Sequence, residues 1–113
     1  MKKRIAITLS TLLLSTSVFA STVNIDKTTN FETKTYQTKA SAYEAGFELV
    51  DNLSQMNANQ LRQKLPTFTD QFVRKVGIDN TKVTVTEFAI NRDQINYSAV
   101  VKVDYHYDAE END

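Results

Sequence analysis

The stretch Ile95-Asn96-Tyr97-Ser98-Ala99-Val100-Val101-Lys102-Val103-Asp104-Tyr105-His106-Tyr107 (residues 95–107) decides the fold. Seven apolar or aromatic residues (95, 97, 99, 101, 103, 105 and 107) recur at strict period two, separated by mostly polar ones. A helix scatters such a set around its surface, whereas an extended chain places it on one face. A long strand with one greasy side needs an apolar partner layer. That layer must come from upstream.

Residues 39–54 supply it. Ala42, Tyr43, Gly46, Phe47, Leu49, Val50 and Leu53 follow helical spacing and form one broad apolar stripe. Thr38 suits the N-cap, because its hydroxyl can accept a free backbone N–H of the first turn. Gly46 costs a helix interior about 1 kcal/mol relative to alanine, which a close approach to a packed neighbour can offset. Asn57 caps a second, shorter helix over 58–65, and Pro66 ends it by pushing the preceding residue out of helical geometry.

The remaining segments read as strands and turns. Phe31–Gln37, rich in Thr and Tyr, is a short strand, and the polar run 21–30 before it reads as frayed or loosely attached. Residues 72–78 alternate loosely as a strand, and Asp79-Asn80 makes a turn. Residues 82–90 form another strand, in which apolar parity changes between Val83/Val85 and Phe88/Ile90. That change implies a bulge or burial on both faces. Asn91-Arg92-Asp93-Gln94 is a hairpin loop, and the acidic tail 108–113 is solvated. The expected fold class is α+β: one long and one short helix packed on a mainly antiparallel sheet of about four strands.

Residues 1–20 read as a cleavable signal peptide. Lys2, Lys3 and Arg4 precede an apolar run from Ile5 to Leu14, and Val18-Phe19-Ala20 places small residues before a cut between Ala20 and Ser21. The apolar run is shorter than the roughly 20 residues of a spanning helix, and no cysteine follows it for lipid attachment. Residues 21–113 are then a single domain without a membrane span, and the periplasm is the expected compartment. Three of the thirteen basic residues leave with the signal, so ten remain against fourteen acidic ones, a net charge of −4 with His neutral. Scattered Lys and Arg under a negative balance exclude polyanion binding by phosphate neutralisation, so nucleic acid is not an expected partner. With zero cysteines, burial alone must hold this small exported chain together.

No catalytic constellation stands out, and neither enzyme activity nor a cofactor is expected. His106 is the sole histidine, and no Ser sits in a nucleophile-elbow pattern. Asp104, His106 and Asp108 project from one strand face at i, i+2, i+4, about 7 Å apart. That set is the candidate for an alternative reading, a small metal-dependent hydrolase. The ligand-binding candidates are Tyr105 and Tyr107, read either as core residues under the main helix or as an aromatic patch at the strand's end, and Phe68 and Phe72. The two phenylalanines are expected first to cap the core, or else to gate a cavity. The leading functional reading is a periplasmic binding or accessory protein without catalysis. It would act through a helix–sheet groove or a sheet edge on a protein, a peptide or a small apolar ligand. A further alternative is a stress-induced envelope protein that self-assembles.

The stretches Thr38-Lys39-Ala40-Ser41-Ala42-Tyr43-Glu44-Ala45-Gly46-Phe47, Leu61-Arg62-Gln63-Lys64-Leu65-Pro66 and Val101-Lys102-Val103-Asp104-Tyr105 carry a resemblance. On them the chain resembles a family of small exported proteins from Vibrio-like gammaproteobacteria, catalogued as a domain of unknown function. The resemblance spans nearly the whole chain, signal included. It implies export and supplies no catalytic or binding residues.

Overall fold

The structure, a computed structural model, describes residues 21–68 and 70–110. Five elements follow in order: β1 (Thr22–Tyr36), α1 (Lys39–Ser54), α2 (Ala58–Lys64), β2 (Gln71–Asn91) and β3 (Gln94–Glu110). The three strands form one antiparallel sheet in the order β1-β3-β2, with both helices on one side. The expected signal peptide, including Ala20, lies outside the described residues, and Ser21 immediately precedes β1.

β3 is the central strand, so both of its backbone edges are paired. Its odd-numbered residues Ala99, Val101, Val103, Tyr105, Tyr107 and Ala109 are all essentially inaccessible to solvent. Full burial of one such valine or larger side chain contributes about 1.5–3 kcal/mol. The alternation therefore fixes which side of the sheet the helices cover. At the hairpin end the cover runs out: Ile95 is 47% exposed and Tyr97 is only half-buried.

α1 begins as its cap residue dictates, with the Ser41 amide donating to Thr38 Oγ1 at 3.1 Å. Ala42, Gly46 and Leu53 face the sheet, and Leu49 and Val50 pack partly against the core. Gly46 sits so close that a β-carbon there would lie 2.6 Å from Val83 Cγ1 and 3.2 Å from Ala99 Cβ. The glycine is what lets the helix lie on the sheet. α2 opens with a reciprocal capping box, in which the Gln60 amide donates to Asn57 Oδ1 and the Asn57 amide to Gln60 Oε1, each at 2.9 Å. It ends at Leu65, extended as the following Pro66 requires.

Several expectations are corrected. Among the described residues the sheet has three strands, not about four, because residues 72–90 are not divided by a turn. Asp79 and Asn80 are absorbed into β2, where the register against β3 shifts between Ile78 and Asn80. Pairing with an unbroken β3 outweighs the local turn preference. Residues 21–30 are not frayed: β1 is one fifteen-residue strand whose inward face alternates with solvent-facing polar residues. Between Asn80 and Ala89 the register is continuous, so no bulge lies between Val85 and Phe88. Phe88 and Ile90 instead point away from the helices and are 36% and 61% exposed. The tail is part of the sheet as far as Glu110, with Ala109 buried.

Candidate functional site

Between α2 and β2, Pro66 and Asp70 close over Tyr105 and Tyr107 on the helix side of the sheet. The Tyr105 hydroxyl donates to the carbonyl of Pro66, and the Tyr107 hydroxyl donates to an Asp70 carboxylate oxygen. The two rings stack with centroids 6.2 Å apart. Both tyrosines are therefore core residues rather than an open aromatic patch. Burial pushes both hydroxyls above the ordinary tyrosine pKa. For Tyr107 the hydrogen bond to Asp70 and its negative charge, with Tyr105 beside it, push the same way.

A pH prediction follows. Tyrosines in the unfolded chain ionise near 10, below these two in the folded state. The stability they confer is complete below that pH and is lost as the pH rises toward the folded values. Denaturant melts at increasing alkalinity should show this loss, and Tyr107→Phe should flatten the slope. An unchanged slope in that variant would mean that Tyr107 is not the group responsible.

Phe68 and Phe72 neither cap the core nor gate a cavity: they are 72% and 67% exposed. Both adopt left-handed backbone, with φ of 56° and 55°, as does Lys75 at 59°. This geometry, which costs about 1–2 kcal/mol per residue, turns the rings outward. Lys27 Nζ stands 5.1 Å from the Phe68 ring centroid, which ties the loop to β1.

Asp104, His106 and Asp108 do share the polar face of β3, but they do not converge. Asp104 accepts from Thr28 Oγ1 at 2.7 Å and Asp108 from Asn24 Nδ2 at 3.0 Å, both toward β1. His106 turns toward β2 instead, with Nδ1 2.7 Å from Asp79 Oδ1. Its ring occupies the space over Gly77, where a β-carbon would lie 2.9 Å from His106 Cε1. Each group is engaged laterally by different residues, Asp108 also by Lys75 on β2 at 4.0 Å. Among the described residues no cluster of three or more such side chains is placed to hold a metal ion.

The space between helices and sheet is filled rather than hollow. Leu53, Leu61, Leu65, Val73 and Val76 join the β3 residues in one continuous core. A shallow open hollow of about 400 Å³ lies beside the α1–α2 junction, walled by Leu53, Met56, Leu61, Val76 and Ile78. At the hairpin end, a second open hollow is ringed by Gln37, Asn91, Asp93, Gln94, Ile95 and Asn96. Asn96 Oδ1, buried there without a protein partner, can be satisfied by water.

The two edges of the sheet differ in where their pairing is regular, and residue pattern alone does not separate them. Along β2 the register against β3 shifts four times, at Gln71/Arg74, Arg74/Gly77, Ile78/Asn80 and Ala89/Asn91. Bulges of this kind disturb the outward row of N–H and C=O groups and hinder strand addition up to Asn80, while Asn80–Ala89 pairs without a break. β1 pairs with β3 residue for residue from Thr22↔Glu110 to Glu32↔Val100 and shifts only beyond Glu32. Val23, Ile25, Lys27, Thr29 and Phe31 line its inner face, each half-buried. The result is an eleven-residue straight edge, half apolar on one side and polar on the other.

A family model described as Domain of unknown function (DUF8398) matches residues 1–112. The chain belongs to this family. The match takes in every element of the DUF8398 chain described above. No curated protein and no solved structure matches it. No helix among the described residues is long and apolar enough to cross a membrane.

Proposed function

We propose that this chain is an exported, periplasmic accessory protein without catalysis, and that it binds a protein or peptide partner by strand addition along β1. The observation that carries the reading is the unbroken edge Thr22–Glu32, with Val23, Ile25 and Phe31 half-buried along it; on β2 three shifts interrupt the pairing up to Asn80, and only Asn80–Ala89 runs straight. An exposed edge presents alternate backbone N–H and C=O groups that an incoming strand can pair, with side-chain contacts adding specificity. Val23, Ile25 and Phe31 offer such contacts on the inner face; Asn24, Asp26, Thr28 and Asn30 offer polar ones on the outer. The groove between helix and sheet is the less favoured surface, because its side chains already fill it.

The test is a photo-crosslinking residue placed in living cells at Asn30 on β1 and, as a control, at Thr84 on β2. Adducts at position 30 and none at position 84 are expected. Equal adducts at both positions, or none at 30, would count against strand addition on β1.

A further inference from the structure

We infer that the strand added to β1 is β1 of a second copy of this chain, paired antiparallel about a two-fold axis at Thr28. The inference rests on the strand-addition reading of β1 and supplies its partner. Directly opposed residues in an antiparallel pair lie on the same face of the sheet. A two-fold axis between two copies of β1 must therefore pass beside a residue, not between two.

Three such registers pair nine or more residues of the straight stretch 22–32: those centred on 26, 27 and 28. Centring on 26 sets Asp26 against Asp26 of the second copy, and centring on 27 sets Lys27 against Lys27. Like charges directly opposed on an edge are destabilising. The register centred on Thr28 pairs Asp26 with Asn30, Lys27 with Thr29 and Asn24 with Glu32, with no like-charge pair. It also sets Ile25 of each copy against Phe31 of the other. These are the two half-buried apolar residues of β1 that already pack against the core. Their pairing, once on each side of the axis, would extend that core across the join, and the two sheets would become one sheet of six strands. This self-complementarity of charge and apolar contact is what selects a second copy over an unrelated strand.

The chain has no cysteine, so single introduced thiols report the register cleanly. Thr28 is exposed, and in the proposed register its Cα lies about 4.5–5.5 Å from its counterpart, within the span of a disulfide. Position 26 is displaced from its own counterpart by four residues, about 14 Å along the strand. In the exported protein purified intact, mild oxidation of Thr28→Cys should give several-fold more covalent dimer than Asp26→Cys or Asn30→Cys alone. Mixing the last two should restore the dimer. Should a thiol variant fold poorly, hydrogen exchange of the unaltered chain provides a second reading: amide protection over 24–32 should rise with protein concentration, in step with a dimer mass by sedimentation.

A purified chain that stays monomeric at every concentration, with exchange over 24–32 independent of concentration, would overturn self-pairing. So would a dimer whose thiols cross-link equally at all three positions. If the purified chain is monomeric while the photo-crosslinker at Asn30 captures a different protein in cells, strand addition stands and the second copy falls. If the crosslinker captures nothing, both fall.

Discussion

Tyr107→Ala is expected to remove a large part of the chain's stability, whereas Tyr107→Phe is expected to leave most of it in place. Tyr107 is fully buried at the end of the central strand, stacked on Tyr105 and bonded to Asp70. Truncating a buried aromatic to alanine costs about 3–5 kcal/mol, through lost transfer energy and the cavity left behind. A domain of this size has a total stability of roughly 5–14 kcal/mol, at about 0.05–0.15 kcal/mol per residue. The alanine variant therefore uses up a large part of the margin. The phenylalanine variant keeps the ring and loses one hydrogen bond. Asp70 is half-buried, so water can replace the lost donor and the cost should stay near 1 kcal/mol. Urea melts of the three proteins decide the matter. A difference between the two variants below about 0.5 kcal/mol, the scatter of an ordinary surface substitution, would show that burial of this ring does not hold the sheet end closed.

The size of that effect also explains which parts of the fold could be read from residues alone. In β3 the alternation of side chains and the alternation of burial coincide from Ala99 to Ala109, because a central strand covered on one side obeys period two without interference. The caps at Thr38 and Asn57 and the stop at Pro66 are set by neighbours within three or four residues, so they too were legible. β1 was legible only in its second half. Its first ten residues are mostly Thr, Asn, Asp and Lys, and their order comes from the ladder with residues 101–110, seventy or more positions away. Asp79-Asn80 failed for the same reason: a strong local turn signal lost to a long-range partner that does not turn.

The candidate surface was hidden for a related cause. Whether a strand lies at an edge depends on sheet order, and here the last strand in sequence takes the middle place. Nothing local to residues 22–32 announces that. Phe68 and Phe72 misled in the opposite direction. Hydrophobicity places them inside, but left-handed backbone at both residues turns them out while the loop uses Pro66 and Asp70 to close over the tyrosines. Asp104, His106 and Asp108 were placed on one face correctly. Their side chains lean to different neighbours, a choice made by Asn24, Thr28 and Asp79.

Gly46→Ala is the second substitution expected to have a large effect, and its sign opposes the helix-propensity rule. On an isolated helix, alanine in place of glycine gains about 1 kcal/mol. Here the added methyl would meet Val83 Cγ1 at 2.6 Å and Ala99 Cβ at 3.2 Å, one on each of two adjacent strands. Val83 is β-branched and stiff at χ1, and its other methyl would already lie 3.6 Å away, so rotation gives little relief. Ala99 is fully buried on the central strand and has no rotamer to change. The helix must therefore lift, and it loosens the contacts of Ala42 and Leu53 on the same face. Overpacking of this kind costs about 1–3 kcal/mol, enough to reverse the propensity gain. The mechanism can be separated from a generic loss of stability by a second change. Val83→Ala alone should destabilise the chain by opening a void beside the glycine. Combined with Gly46→Ala it should destabilise much less than the two separate effects added together, because the new methyl fills that void. Additive losses in the double variant would mean that the helix does not rest on Val83.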